Sequence, residues 1–349
     1  MKSSKLFTIL SSVALVIVLM STGSTGAAYS QSTPSPTAAA TAAADVPYCT
    51  PDMAMANQAK GWFIPMLSKG FQHQFWQVVK QGAYKAAQDC GVGVDFVGPA
   101  TEAQVDVQIT MLQTILNRQP SAIGIAALDT KAVLPLLKQA QAAKIPIIAF
   151  DSGVEGDIPA TTAATDNTAA AGVAADKMAE LIGGEGEIAL VVHDQTSQTG
   201  VTRRDGFVKQ IKDKYPKITI VDIQYGAGDQ LKSADIAKAI IQAHPNLKGI
   251  FGANEGSAIG VVNAINELKM AGKLVVIGYD SGQAQIDAIK SGLEAGAITQ
   301  NPYGIGYKSV EAAVKILSGV SVPKNIDTGF FWYDKTNIDD PKIALLLYK

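Results

Sequence analysis

The sequence of 349 residues is poor in cysteine, histidine and charge, and each shortage excludes a class of protein. Its two cysteines exclude a disulfide-rich scaffold and a cysteine-ligated metal site, and its three histidines argue against a histidine metal cage. Charged residues make up 17% of the chain, with 29 Lys and Arg against 31 Asp and Glu. No basic field is therefore available to hold a nucleic-acid backbone, and we expect neither a metal nor a nucleic-acid partner.

The common catalytic motifs are missing as well. The chain has no G-x-S-x-G, H-E-x-x-H, Walker or C-x-x-C motif, and its glycine pairs complete no G-x-G-x-x-G after a strand. His193 and Asp194 follow an apolar strand, but no nucleophile stands at a recognisable spacing from them. We therefore expect a binding protein with no catalytic residue and no cofactor.

The amino terminus has the three parts of a secretory signal peptide. Lys2 and Lys5 precede an apolar run over 6–20, and small residues follow this run. The run is shorter than the roughly 20 residues that a membrane-spanning helix needs, although an uncleaved anchor is the alternative. We predict a signal peptide over 1–30 and export to the periplasm or to the outer face of the cytoplasmic membrane.

The segment over 31–57 leads from the signal peptide to the body of the protein. Its start is rich in Ser, Thr, Pro and Ala, which predicts a disordered tether. Cys49 lies ahead of the first predicted strand, and Cys90 ends the helix predicted after that strand. A returning helix brings its carboxyl end beside the start of the strand, so a Cys49–Cys90 disulfide is geometrically reasonable in an oxidising compartment. Two free, unrelated thiols are the alternative.

From residue 61 onward, short apolar or β-branched runs alternate with amphipathic helical stretches. The predicted strands cover 61–67, 93–97, 122–126, 146–150, 187–192, 218–224, 249–252, 274–279 and 297–299. The predicted helices cover 75–89, 102–117, 131–143, 169–182, 203–214, 231–243, 257–270, 283–291 and 303–317. Continuous apolar strands between helices predict parallel sheets covered on both faces, and hence an α/β fold.

Two of these strands run into related tetrapeptides, Phe150–Gly153 (FDSG) and Tyr279–Gly282 (YDSG). Ligands of open α/β sheets bind outside the carboxyl ends of the strands. The matching carboxylates of Asp151 and Asp280 therefore predict two similar sheets that face one cleft. The alternative is that each Asp only caps the turn that follows it.

The polar and aromatic residues near strand ends suit a ligand with many hydroxyl groups. Aromatic faces cover the C–H faces of a sugar ring, carboxylates accept hydrogen bonds from hydroxyls, guanidinium donates, and amides do both. For Phe75 and Trp76 the alternative is core packing, because they open an amphipathic helix. The candidate residues are Phe75, Trp76, Asp151, Arg203, Asn254, Asp280 and Gln300.

The chain from about Lys60 to its end resembles type I periplasmic substrate-binding proteins, most closely the ribose-binding branch that supplies sugar ABC importers. The similar segments follow one another in the family's order: 74–76 with Gly82 and Ala83, 148–151, 164–167, 203–207, 243–245, 251–255, 277–280 and 299–302. The resemblance implies two doubly wound, Rossmann-like parallel-sheet lobes joined by a three-strand hinge. It also implies that 58–164 with 301–328 form one lobe, and 165–300 with 329–349 the other.

The resemblance further implies which residues contact the sugar. Phe75 and Trp76 match the family's paired aromatic residues that stack on the ring, and His73 falls where the family often has a polar contact. The other matched contacts are Asp151, Arg203, Asn254, Asp280 and Gln300, and the matched hinge positions are Asp166, Asn301 and Gly329.

The function that this resemblance implies is that of an extracytoplasmic solute-binding protein and not of an enzyme. A monomer captures a monosaccharide or polyol between its lobes by hinge closure and delivers it to the membrane permease subunits of an ABC importer. Ser152 stands where ribose binders have arginine, and Gly228 stands where they have an aromatic residue. Both departures predict a wider pocket, and a larger or differently shaped sugar or polyol than ribose.

A related branch binds the furanone signal autoinducer-2. Lys69, the Gly98-Pro99 pair and the Asp151-Ser152 pair are similar to that branch, whereas Arg203 and Asp280 differ from it. The alternative function is therefore that of a binder of autoinducer-2 or another small polar ligand, acting as a sensory co-receptor.

Overall fold

The computed structural model describes residues 48–348, in which helices and strands alternate almost throughout. The helices are α1 (Pro51–Lys60), α2 (Gln74–Cys90), α3 (Val105–Asn117), α4 (Leu134–Ala142), α5 (Asn167–Ile182), α6 (Gln198–Lys214), α7 (Gln230–Ala243), α8 (Glu255–Glu267), α9 (Gln283–Ser291), α10 (Pro302–Leu317) and α11 (Pro341–Ala344). The strands are β1 (Phe63–Leu67), β2 (Gly93–Val97), β3 (Ile123–Ile125), β4 (Ile147–Phe150), β5 (Thr161–Ala164), β6 (Gly186–Val192), β7 (Ile218–Tyr225), β8 (Leu247–Gly252), β9 (Val275–Tyr279), β10 (Gly296–Gln300), β11 (Asn325–Asp327) and β12 (Phe330–Asp334). No helix among these residues combines the length and the apolar character of a membrane span.

The strands form two six-stranded sheets. The first has the order β11-β5-β4-β3-β1-β2 and is parallel throughout. The second has the order β12-β10-β9-β8-β6-β7 and is parallel except for β12, which runs antiparallel to β10. The predicted α/β fold with two parallel-sheet lobes is confirmed. We call the half built on the first sheet the first lobe and the half built on the second sheet the second lobe.

Close packing against α10 fixes the position of α2, the helix that follows strand β1 in the first lobe. A Cβ atom at Gly82 would lie 2.0 Å from the carbonyl oxygen of Tyr303, and one at Gly306 would lie 1.9 Å from that of Val79. The two helices therefore approach as closely as they do because both positions are glycine. Their buried faces share one apolar cluster with Phe150 of β4, and this cluster holds the amino end of α2 beside the carboxyl ends of the strands.

The chain passes between the two sheets three times, after β5, after β10 and after β11. Each passage contains one residue of the predicted hinge. Asp166 caps α5 by accepting from the Ala169 amide, and Asn301 caps α10 in the same way. Gly329 has a φ of 78° between β11 and β12. These residues lie where a hinge has to bend, and their role in opening stays a prediction.

The end of the predicted tether, from residue 48 to residue 57, is folded onto the first lobe. A disulfide joins Cys49 to Cys90, and α1 begins at Pro51, although the predicted tether extended to residue 57. The Thr50 side chain caps α1 by accepting from the Met53 amide, and the Asn57 side chain donates to the carbonyl oxygen of Cys90. These contacts hold a helix that buries little apolar surface of its own. The predicted signal peptide over 1–30 and the tether up to residue 47 lie outside the described residues.

A buried carboxyl group lies against strand β9 of the second sheet. Glu294 stands between α9 and β10 with 1% of its surface exposed, against Gly278 of β9. The amide of Gln285 donates to one of its oxygens over 3.3 Å, and the other oxygen has no hydrogen-bond partner. Burial raises the pKa of Glu294 from 4.5 to about 8, so the group is protonated at neutral pH.

We expect Glu294→Gln to stabilise the protein at pH 7. The raised pKa means that the unfolded chain releases this proton before the folded one does, so the wild type loses stability as pH rises from 4.5 to 8. The neutral amide does not titrate, and the free energy of unfolding should rise by about 1–3 kcal/mol at pH 7 and by much less at pH 5. Urea unfolding at both pH values measures this difference. An equal effect at the two pH values would contradict the protonated state of Glu294.

Candidate functional site

A small cavity lies where the carboxyl ends of the two sheets face each other. Its volume of about 20 Å³ is comparable to the space that one water molecule needs. All of the predicted ligand contacts line it, together with Lys69, Glu102 and His193, which the site prediction did not include. The full lining consists of Lys69, His73, Phe75, Trp76, Glu102, Asp151, His193, Arg203, Asn254, Asp280 and Gln300.

The two related tetrapeptides share a positive φ and one backbone hydrogen bond at their Asp residues. Asp151 follows β4 with a φ of 55°, and Asp280 follows β9 with a φ of 81°. Both are in the left-handed region, which Asp tolerates better than most residues but at a cost in energy. The backbone amide of each donates to the next strand of its own sheet, at Ala163 and at Ile298. The turns therefore point two equivalent carboxylates into the cavity from opposite lobes.

Arg203 is held rigidly before any ligand arrives. Its Nε donates to Oδ1 of Asn167 over 2.7 Å, and its Nη1 donates to the carbonyl oxygen of Ala253 over 3.0 Å. The guanidinium lies 3.7 Å above the ring of Tyr279, and its Nη1 is 3.9 Å from Oδ2 of Asp280. The Tyr279 hydroxyl donates to the same Asn167 oxygen over 2.8 Å. Asn167 and Tyr279 thus orient the one cation of the second lobe that lines the cavity.

Asp280, Gln300 and Asn254 form the amide and carboxylate group of the second lobe. The Gln300 side chain donates to Oδ1 of Asp280 over 2.7 Å, and the Glu255 amide donates to Oδ2 over 2.9 Å. Asn254 caps α8, because its Oδ1 accepts from the Ser257 amide over 2.9 Å. These bonds fix the orientation of all three side chains and leave the Gln300 oxygen without a partner.

Lys69 and Glu102 form a buried ion pair in the first lobe, with Lys69 Nζ 3.7 Å from Oε2 of Glu102. The other Glu102 oxygen accepts from the indole of Trp76 over 2.8 Å, and Lys69 donates to the hydroxyl of Thr199 over 3.0 Å. Burial acts to raise the pKa of Glu102, but Lys69, the nearby imidazoles and the indole outweigh it and lower the pKa to about 2. Glu102 is therefore a charged acceptor inside the cavity.

Neither Glu102 nor His193 was predicted as a contact. Glu102 lies a few residues after β2, and His193 directly follows β6, so a position beyond a strand's carboxyl end was the available signal. The Nε2 of His193 lies 3.1 Å from the Thr199 hydroxyl oxygen. Burial is the main cause that lowers the pKa of His193 to about 3, so its ring is neutral.

Asp151 is the carboxylate of the cavity whose charge is least compensated. Its pKa is raised to about 6. Burial is the main cause, Glu102 and Asp280 act in the same direction, and Lys69 and Arg203 act in the opposite direction. One of its oxygens has no hydrogen-bond partner. Asp151 therefore changes charge close to neutral pH.

Several buried polar atoms of the cavity lack a hydrogen-bond partner. A buried donor or acceptor left in this state costs about 1–3 kcal/mol, so a ligand that pairs with these atoms binds with a gain of that order at each. They belong to side chains from both lobes. The atoms are both ring nitrogens of His73, Oε2 of Glu102, Oδ1 of Asp151, Nδ1 of His193 and Oε1 of Gln300.

Phe75 and Trp76 both line the cavity and pack in the core, so the two interpretations of these residues do not exclude each other. Their ring centroids are 5.0 Å apart at 86°. Phe75 also packs edge-to-face against Tyr348, near the carboxyl end of the chain, and the Tyr348 hydroxyl accepts from the Ser281 amide of the second lobe. The final residues of the chain thereby contact both lobes beside the cavity.

The cavity is not widened at Gly228, in contrast to the expectation from the missing aromatic residue. Gly228 has a φ of 68°, and a Cβ atom there would lie 3.3 Å from both Glu102 Oε2 and His73 Nε2. Polar side chains of the first lobe therefore reach the place that the expected wider pocket would occupy. Ser152, the other departure, is fully buried and its hydroxyl has no hydrogen-bond partner.

Direct hydrogen bonds join the lobes on both sides of the cavity. The Glu255 carboxylate accepts from the backbone amides of Gln74 and Phe75, at 3.0 and 3.2 Å, at the start of α2. On the other side, the Thr130 amide donates to the carbonyl oxygen of Thr196 over 3.0 Å. The two lobes are therefore in direct contact around the cavity.

The arrangement is suited to binding rather than to metal chemistry. Within residues 48–348, no three His, Cys, Asp or Glu side chains are placed to hold a metal ion together. A larger groove lies in the first lobe, lined by residues of α1, α2, β1 and β2 such as Gln58, Ala87 and Gly93, but it contains none of the charged groups of the cavity. The cavity is therefore the candidate site.

Known proteins of similar sequence and structure share this architecture. The D-allose-binding periplasmic protein of Escherichia coli is 26% identical over 255 residues, which cover 70% of this chain and 81% of that protein. The ribose import binding protein of Bacillus subtilis is 27% identical over 272 residues, 78% of this chain and 87% of that protein. An ABC transporter solute-binding protein of Agrobacterium vitis with bound D-fucose has a TM-score of 0.79 and 35% identity, covering 82% of this chain and 100% of that one.

A carbohydrate transporter solute-binding protein of Agrobacterium radiobacter, in complex with D-arabinose, has a TM-score of 0.80 and 34% identity. The match covers 82% of this chain and 99% of that one. Residues 64–321 match the family model described as periplasmic binding protein domain, and this range includes the central strands of both sheets and all of the cavity lining. The chain therefore belongs to the periplasmic binding protein domain family.

Proposed function

We propose that the protein captures a neutral monosaccharide or polyol between its two lobes and delivers it to an ABC importer. The observation that carries this proposal is the set of buried, unpaired polar atoms that both lobes direct into one cavity beside Phe75 and Trp76. The family is one of binding proteins, and the relatives named above are described as binding or transporting sugars. A binding role and not an enzymatic one follows.

The charges of the cavity favour a neutral ligand. Lys69 pairs with Glu102 and Arg203 lies near Asp280, so neither cation is left to hold an anionic ligand, and Asp151 adds a third carboxylate that repels one. Sugar hydroxyls donate to the carboxylates and accept from the guanidinium and the amides without bringing a charge. The apolar faces of the ring lie against the aromatic side chains, where their burial contributes further.

Binding is coupled to closure, since the cavity has polar groups from both lobes. A ligand that contacts both lobes stabilises the closed form by the difference between its affinities for the closed and the open form. The three passages that contain Asp166, Asn301 and Gly329 are the places where the lobes separate. In the full cycle, the closed protein presents both lobes to the permease subunits of the importer.

We also propose that the protein is exported, acts as a monomer and works at the periplasm or the outer face of the cytoplasmic membrane. The predicted signal peptide over 1–30 and the family's periplasmic name support this location. Lys69 is the residue that favours the alternative ligand autoinducer-2, because it resembles that branch in sequence and also lines the cavity. The test below therefore includes that compound.

The first prediction is a selective thermal shift with a sugar. Thermal unfolding is measured with D-ribose, D-allose, D-arabinose, D-fucose, D-tagatose and autoinducer-2, and calorimetry then gives the affinity of each compound that shifts the midpoint. A ligand at a thousandfold excess over its dissociation constant adds about 4 kcal/mol of stability. Arg203→Gln should lower the affinity for the tightest-binding compound by about thirtyfold or more, because the guanidinium is a charged donor in the cavity.

The matched control is Arg204→Gln, which changes the next residue in the same way. Arg204 bonds to Asp205 and Tyr225 outside the cavity, so this variant should bind like the wild type. A wild-type protein that binds no sugar of the series overturns the proposed function. Sugar binding that Arg203→Gln leaves unchanged overturns the site.

The affinity for the sugar should depend on pH through the carboxyl group of Asp151. The raised pKa of Asp151 means that the carboxylate forms only as pH rises through about 6, and sugar hydroxyls favour that ionised form. Affinity should therefore fall as pH is lowered from 7 to 5, by up to about tenfold per unit below 6. The charged groups that face Asp151 are Lys69, Arg203, Glu102 and Asp280, and the pKa of Glu102, about 2, keeps that group ionised over this range.

Asp151→Asn removes the titrating group and should flatten this profile, with weaker binding than the wild type at pH 7. Calorimetric titrations of both proteins at pH 5, 6 and 7 measure the two profiles. An unchanged slope in Asp151→Asn would assign the pH dependence to another group.

A further inference from the structure

We propose that Tyr348 is a positioning residue that joins the two lobes beside the cavity and slows the release of the bound sugar. This inference rests on the proposed function, in which the lobes close on the sugar and separate to release it. Tyr348 does not line the cavity. It contacts Phe75, which does, and Ser281, which directly follows Asp280. Tyr348 therefore acts on the site through its neighbours.

The segment that follows β12, residues 335–348, is packed on the second lobe. Its side chains Ile338 and Ile343 share one apolar cluster with Ile286 and Ile289 of α9, and this cluster also contains residues of β10 and β12. All of these elements belong to the second lobe. The segment is therefore expected to move with that lobe when the lobes separate.

Polar contacts fix the end of this segment on the turn that carries Asp280. The carbonyl oxygen of Leu346 lies 3.4 Å from the Ser281 hydroxyl and 3.3 Å from the Thr299 hydroxyl, so both are within hydrogen-bonding distance. The Tyr348 hydroxyl accepts from the Ser281 amide over 3.1 Å. Neither Ser281 nor Thr299 has exposed surface, so water does not compete for these contacts. Tyr348 is thus anchored in the second lobe.

The ring of Tyr348 extends from this anchor into the first lobe. It belongs to the apolar cluster that contains Trp76 of α2 and Phe150 of β4, and 5% of its surface is exposed. Its centroid lies 6.3 Å from that of Phe75, with the two rings at 66°. Phe75 is thus held edge-to-face by Trp76 of its own lobe and by Tyr348 of the other. The lobes cannot separate without withdrawing the Tyr348 ring from this cluster.

This contact acts on release of the sugar rather than on its entry. It exists only where the lobes meet, so it stabilises the closed form and leaves unchanged the open form that the sugar enters. The sugar leaves when the lobes open, and a contact of the closed form slows that step. Loss of the contact should therefore raise the dissociation rate constant and change the association rate constant little.

Stopped-flow tryptophan fluorescence measures both rate constants with the tightest-binding sugar of the series above, and Trp76 in the cavity lining is the reporter. Tyr348→Leu removes the ring and should raise the dissociation rate constant about tenfold or more, while the association rate constant changes by less than about threefold. Tyr348→Phe keeps the ring but loses the bond to Ser281, so a smaller rise of about threefold is expected.

The matched control is Tyr215→Leu. The Tyr215 hydroxyl donates to Asp176 over 2.8 Å, and the ring packs on the core of the second lobe away from the cavity. This variant loses an aromatic ring and a hydroxyl group as Tyr348→Leu does, but it leaves the contact between the lobes in place. It should keep both wild-type rate constants.

The outcomes separate this role from the proposed function. If Tyr348→Leu releases the sugar at the wild-type rate, the role of Tyr348 is overturned while sugar binding stands. A fall in the association rate constant as large as the rise in dissociation also overturns it, because Tyr348 then shapes the site itself. A wild type that binds no sugar overturns both. If Tyr348→Leu does not fold, Tyr348→Phe decides alone, and a dissociation rate constant equal to that of the wild type overturns the inference.

Discussion

Burial of charge between two sheets is the constraint on which the rest of the site depends. An ion taken out of water loses several kcal/mol of hydration, and only well-placed partners compensate for that loss. Arg203 meets this demand with the oxygens of Asn167 and Ala253, the ring of Tyr279 and the nearby carboxylate of Asp280. Tyr279 and Asp280 come from one strand end, whereas Ala253 follows another strand and Asn167 begins a helix, all in the second lobe. The second lobe therefore has to bring these elements together before the guanidinium is stable, and the same arrangement creates its half of the ligand site.

The contacts that position the site also connect it to closure. Asn167, which orients Arg203, is the first residue of α5 and directly follows the passage at Asp166. The start of α2 presents Phe75 to the cavity, and its free backbone amides also receive the Glu255 carboxylate from the other lobe. A helix amino end favours a negative group, and here that preference joins the lobes. Separation of the lobes thus breaks a buried carboxylate contact, and a ligand has to supply enough new contacts to restore the closed form.

The sequence was sufficient for most of the fold because the central strands are continuous apolar runs, such as Ile147–Phe150, and need no tertiary information to be recognised. It was insufficient for β5, β11 and β12, which are only partly buried and lie towards sheet edges. Positions near strand ends located seven of the cavity residues in advance, and the family resemblance added His73. Glu102 was missed because its place depends on how a loop after β2 folds back onto Trp76. Helix α1 was missed for a similar reason, since it is held by the Thr50 cap and by contacts around Cys90 rather than by its own apolar pattern.

Where this chain has Gly228, the family resemblance implies an aromatic residue, and we expect this difference to change what the site recognises more than how large it is. An aromatic ring offers a flat apolar surface that accepts any C–H face of a sugar and gives little choice among hydroxyl patterns. At Gly228, Glu102 and His73 lie close to the backbone, and the surface is charged and polar instead. Side chains of the first lobe thus take up the space beside Gly228 and make this side of the cavity polar.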